Sequence, residues 1–137
     1  MIRWSETAGR VAVRERASGR CEGCGTPGPL EFAHRVRRSQ GGLWSPTNAL
    51  HLCGACHGTA TREPALARAS GWEVSPTLDP AEVPAWLIHE GIPGWWLLLL
   101  ASDGTGAHAH LLEAVDPADY GLPDVPSIVK AARKSCA

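Results

Sequence analysis

The sequence predicts a small α+β domain, stabilised by zinc, followed by a small β-hairpin appendage. Three observations predict it. Two Cys-x-x-Cys pairs, Cys21–Cys24 and Cys53–Cys56, are separated by 28 residues. Helical and strand-like apolar patterns alternate with these pairs as far as Gly71. Beyond Gly71 the chain becomes rich in Trp, Pro and acidic residues. This divides the 137 residues into a zinc-bound domain over 1–71, a β unit over 72–112 and an acidic, Pro-containing tail over 113–137.

Each element has its own signal. Residues 4–18 are expected to form a helix, with Trp4, Ala8, Val11 and Ala12 on one face, Ser5 as N-cap and Gly19 just past the end. Gly9 weakens that helix. The first Cys pair and the Gly and Pro residues over 25–29 make a tight turn and a loop. Leu30 to Val36 alternates and contains Phe32 and Val36, so it reads as a strand. Ser39 to Gly42 and Ser45 to Asn48 are turn-like, and Ala49 to Leu52 reads as a short return strand. A helix is expected from Gly54 to Thr61, and a second helical piece from Pro64 to near Gly71. In the second unit, Trp72–Val74 and Ala85–Ile88 read as strands. Trp95–Ala101 and Ala107–Leu112 flank a turn over 102–106, as in a hairpin. Trp86, Trp95 and Trp96 are expected to form its core, and a short helix is expected over 127–134.

The longest apolar run, Trp95 to Ala101, is far short of the ~20 residues that span a membrane. No apolar leader is visible at the start, so a cytoplasmic protein with reduced thiols is expected. Two Cys-x-x-Cys pairs then read as a metal site rather than as disulfides, and Cys136 as a free thiol. Four thiolates suit a tetrahedral structural zinc with no coordination position left open for water. An iron–sulfur cluster is the alternative for four thiolates, but nothing else in the chain suggests redox chemistry. The net charge of −1 conceals an asymmetry. Residues 1–71 carry a net +5, all of the positive charge from Arg, and residues 72–137 carry −6. A basic surface for phosphate and an acidic half suited to a protein partner are both implied. Arg10, Arg14 and Arg16 read most simply as the solvated side of the first helix.

Between and just after the Cys pairs lie Ala33-His34-Arg35, Gly41-Gly42, Ser45-x-x-Asn48 and Leu52-Cys53-x-x-Cys56-His57. In this order and spacing they resemble an HNH endonuclease of the ββα-metal type, specifically the four-cysteine zinc-knuckle proteins of bacteriophages and bacteria. The resemblance covers roughly residues 20–63. It implies a bacterial or phage-infected cell and metal-dependent cleavage of DNA, with Mg²⁺, Mn²⁺ or Ni²⁺ distinct from the structural zinc. It implies His34 as the base that polarises water, Asn48 as the residue that fixes the loop or touches the metal, and His57 as a metal ligand. The chemistry agrees, because an imidazole with an ordinary pKa near ~6.5 can take a proton at neutral pH. A neutral imidazole also suits a divalent ion.

Two positions depart from the family. Ala33 stands where a ligating Asp or His is usual, and Thr61 stands where some members have another ligand. Glu31 and Glu63 are the candidate substitutes. Arg35, Arg37, Arg38 and Arg62 are the expected DNA contacts, with Arg68 secondary. Strand alternation sets Arg35 and Arg37 on the face opposite His34, and Arg38 on its own face. His51 and the His108-x-His110 pair carry no assigned role. No recognition helix stands out, so weak sequence preference, or preference for a structure such as a nick or junction, is expected. The competing reading is a zinc-stabilised DNA-binding or scaffold protein that has kept this fold and lost catalysis.

Overall fold

The computed structural model describes residues 3–89, 92–100 and 112–121. Among them are three helices, α1 (Glu6–Ala17), α2 (Gly54–Arg62) and α3 (Pro64–Ala69), and five strands: β1 (Glu31–His34), β2 (Ala49–Leu52), β3 (Ala85–His89), β4 (Ile92–Leu100) and β5 (Leu112–Ala114). The architecture is α+β. β1 and β2 pair antiparallel, with Ala33 opposite Leu50 and His34 opposite Ala49. A second antiparallel sheet has the order β3-β4-β5. No helix among the described residues is long and apolar enough to cross a membrane.

The elements before Gly71 follow the expected order, but α1 buries a different face. Ser5 caps it, its hydroxyl accepting from the Ala8 amide, and left-handed Ser18 ends it one residue before the expected Gly19. The buried residues are Gly9, Ala12, Val13, Arg16 and Ala17, whereas Val11 is 41% exposed. Gly9 is the reason. A Cβ at that position would collide with the backbone carbonyl of Trp44, so the helix approaches the loop at its one glycine.

Arg16 is not on a solvated face. Its guanidinium donates to both carboxylate oxygens of Glu22 at 2.8 Å, and also to the carbonyls of Pro46 and Ala49. Glu22 accepts in turn from the His51 amide. Both side chains are almost fully buried, at 0% and 3% exposure. Dehydrating such a pair is tolerable because both carboxylate oxygens and all three guanidinium nitrogens are hydrogen-bonded.

The apolar core does not divide at residue 71. Leu50, Leu52 and Ala67 form one cluster with Trp72, Trp86, Leu87 and Leu98. The outer edge of β3 is tied to the first unit, with the Ile88 amide donating to the Glu22 carbonyl and the Trp86 amide to the Ser70 carbonyl. β3 and Leu98 of β4 therefore pack against the four-cysteine unit rather than forming a separate appendage. Trp72–Val74 is not a strand. Its backbone turns against the ends of α3 and β1, and the Trp72 indole donates to the Trp86 carbonyl at 2.8 Å. The expected turn at 102–106, His108, His110, Cys136 and the helix over 127–134 lie outside the described residues, as do the side chains of Trp95 and Trp96.

Replacing Glu22 with Ala leaves the Arg16 charge buried and unpaired. A loss of about 3–5 kcal/mol is expected in equilibrium urea unfolding. An unchanged urea midpoint would mean that Arg16 finds water in the folded state.

Candidate metal centre and adjoining cleft

The knuckle at 21–24 precedes β1, and the knuckle at 53–56 joins β2 to α2. Pairing of β1 with β2 brings the two together, with Glu31 opposite Leu52. The four sulfurs lie within 4.8 Å of one another, and none is in a disulfide. Sulfurs around one tetrahedral zinc at ~2.3 Å would be about 3.8 Å apart; Cys24 and Cys53 Sγ are separated by 3.9 Å. Backbone amides face the sulfurs, Cys53 N–H donating to Cys21 and Cys56 N–H to Cys53. A hydrogen bond from the Cys56 side chain, helped by backbone amides and opposed by burial, lowers the Cys21 thiol from 9.0 to about 5. Negative sulfur at neutral pH is what a cation requires. The four cysteines thus fit a structural metal such as zinc.

Next to this cluster is an open cleft of about 360 Å³. Its wall includes Ala33 and His34 at the end of β1, Arg37 and Arg38 just beyond, and His57 and Thr61 on α2. Both histidines expected to act together therefore reach one space, from different elements. His51 and Asn48 do not line it.

His34 is half-buried, with its ring edge-on to Phe32 and Trp44 at centroid distances of 5.1 and 4.5 Å. Its Nε2 is buried and meets no hydrogen-bond partner. Burial, then the charges of Arg38 and Arg10, push its pKa below the usual histidine value, with Glu6 opposing. His57 sits in the first turn of α2, one residue after Cys56, and its Nδ1 is 3.3 Å from Glu31 Oε2. An imidazole and a carboxylate, both partly exposed, are donors suited to a divalent cation. The other candidate substitute, Glu63, caps α3 and is absent from the cleft wall. Thr61 spends its hydroxyl on the His57 carbonyl, and Ala33 offers an apolar wall.

Asn48 is 2% exposed and committed to the loop. Its Oδ1 accepts from the Val36 amide, and its Nδ2 donates to the carbonyls of Val36 and Leu43. The side chain clamps the two ends of the β1–β2 connection and has no free oxygen facing the cleft. Gly42 lies inside that clamp, where any Cβ would collide with the Val36 carbonyl.

The arginines separate into two groups. Arg35 is fully buried, and its guanidinium donates to the carbonyls of Gly71, Thr47, Pro80 and Val83. Burial lowers it to about 9, and it is not a surface contact. Arg37 does not face away from His34. β1 ends at His34, so alternation stops there, and Arg37 enters the cleft wall paired with Glu73 at 2.7 Å. Arg38 is exposed and stacks over Trp44 at 5.0 Å. Arg62 borders a neighbouring depression with Glu31 and His57, and Arg68 lies 3.6 Å from Glu73. Sequence reasoning missed Glu73 and Trp44. Glu73 lies beyond the motif, and an aromatic in a polar loop, after Gly41-Gly42-Leu43, was the available signal for Trp44.

The chain matches no family model, no curated protein and no solved structure.

One zinc per chain is expected by native mass spectrometry, with its loss in Cys56→Ser. Removing zinc with a strong chelator should release Trp72 from the core and red-shift tryptophan emission. Unchanged emission after complete removal would show that the fold stands without the metal.

Proposed function

We propose that this chain is a metal-dependent endonuclease of the HNH type, hydrolysing phosphodiester bonds in DNA with weak sequence preference. The observation that carries this reading is the convergence of His34 and His57 on one open cleft bordered by Arg37 and Arg38. The packing of the His34 ring against Phe32 and Trp44 adds support, because a side chain held by its neighbours keeps a fixed direction in the cleft.

In this reading the scissile phosphate enters the cleft and its charge meets Arg37 and Arg38. His34, held neutral by its surroundings, takes the proton from the attacking water. His57, with Glu31 beside it, would hold a divalent ion (Mg²⁺, Mn²⁺ or Ni²⁺) that stabilises charge on the phosphate and leaving oxygen. Asn48 contributes by fixing the loop, and Arg62 extends the basic rim. The acidic residues after Gly71 suit a protein partner better than DNA.

A second reading has a specific observation in its favour. Ala33 presents an apolar wall where the family supplies a metal ligand, which suits a zinc-stabilised DNA-binding scaffold without catalysis.

Supercoiled plasmid incubated with each of the three ions separates the two. The wild type is expected to nick it, and His34→Ala to be slower by about a hundredfold or more. Retained binding without nicking under every ion would favour the scaffold, and full activity in His34→Ala would remove that residue from the mechanism. Since the lowered pKa keeps His34 in its base form, kcat/KM should hold steady as pH falls from 8 to the ordinary histidine value of ~6.5 and decline only below it. A decline already complete at pH 7 would contradict this assignment.

A further inference from the structure

We propose that Trp44 is a positioning residue that holds the guanidinium groups of Arg10 and Arg38 beside the His34 ring, as a paired grip on the phosphates of a nucleic-acid backbone. The choice of ligand rests on the nuclease reading; the geometry of the grip does not.

Trp44 stands at the centre of a mixed aromatic and cationic cluster. The Arg10 Cζ lies 5.1 Å from its ring centroid and 5.4 Å from that of Phe32. The Arg38 Cζ lies 5.0 Å from the Trp44 centroid, and the His34 ring 4.5 Å. Two like charges gathered at one side chain repel, and the electron-rich ring offsets part of that repulsion. An anion seated between them would offset the rest.

A guanidinium stacked by its face on an aromatic ring keeps its N–H edge free for phosphate oxygens. Both groups have that edge to spare. Arg38 forms no ion pair among the described residues. Among the described residues Arg10 pairs only with Glu6, and both side chains are about half exposed, at 46% and 51%, so the pair is weak and readily exchanged. The two arginines come from separate elements, α1 and the turn after β1, and Trp44 is their shared contact. The close approach of α1 to the loop at Gly9 fixes this arrangement, because the atoms it meets are the Trp44 backbone. The grip adjoins the candidate base, so Arg38 would meet the phosphate presented to His34 and Arg10 a neighbouring one. A phosphate chain satisfies several such points along one molecule, which a single small anion cannot.

The test is binding of a labelled DNA duplex to the zinc-loaded full chain, with no divalent ion added, across a salt series. Arg10→Ala and Arg38→Ala are each expected to lose about fivefold in affinity at about 0.15 M salt, and about one unit of salt slope. Trp44→Leu removes no charge yet is expected to lose about as much as both together, whereas Trp44→Phe keeps most of the binding. Wild-type affinity in Trp44→Leu would overturn the proposal. So would an equal loss in the exposed control Arg20→Ala, which would indicate a diffuse positive surface, or equal displacement of DNA by polyglutamate, which would indicate an acidic protein ligand. If Trp44→Leu fails to retain zinc, the two arginine variants decide, and an unchanged slope in both rejects the grip. Binding that shows these sensitivities without any nicking would reject the nuclease reading and leave the grip standing.

Discussion

The buried carboxylate of Glu22 constrains the whole molecule. It sits between Cys21 and Cys24, out of water, and its charge is tolerable only because Arg16 meets both oxygens. Arg16 in turn needs the carbonyls of Pro46 and Ala49, which exist in the right place only when the β1–β2 connection is formed. The backbone of Glu22 pairs with His51 in β2 and with Ile88 in β3. One residue thus requires α1, both sheets and the first knuckle to be in place together. A metal held by the four sulfurs would fix the same loop from its other side, so the two devices reinforce each other.

The cleft inherits its geometry from that hub. His57 follows Cys56 directly, so the second knuckle sets where α2 begins and where the imidazole projects. Asn48 and Gly42 pin the β1–β2 connection, and the loop it carries presents Trp44 to His34. Arg35 works in the same way from inside, tying the end of β1 to the segment over 71–83 through three carbonyls and to Thr47 through a fourth. A buried cation with no ion pair among the described residues is held there by backbone dipoles, which explains why it is an arginine with five donors and not a lysine.

What was legible in the sequence is what depends on spacing. Two Cys-x-x-Cys pairs can reach one ion almost regardless of the chain between them, and the order of helix, strand, strand and helix followed from local periodicity. What was not legible depends on partners far along the chain. Arg16, Glu22 and Arg35 look like surface charges, because charged side chains are seldom buried, and only tertiary pairing makes them core residues. Gly9 looks like a flaw in a helix until the loop that presses on it is known. Alternation predicted the facing of Arg37 wrongly because the strand stops at His34. Gly71 looked like a boundary because composition changes there, yet Trp72 and Trp86 carry the same core across it.

On the proposed reading, the charges around His34 act in two ways at once. Burial disfavours a proton on the imidazole most, Arg38 and Arg10 add to it, and the same two charges attract phosphate by their field. Before substrate arrives, the ring is neutral but a poor base. Once a phosphate backbone lies against those guanidiniums, its negative charge offsets their share of that effect, while the share due to burial stays. Basicity would then be greatest when the bond to be cut is in place. On this logic Ala33 has a place in a working site as well as in a scaffold. An anionic ligand beside His34 would bring an ion to the empty cleft, whereas an apolar wall leaves His57, Glu31 and the incoming phosphate to recruit it together.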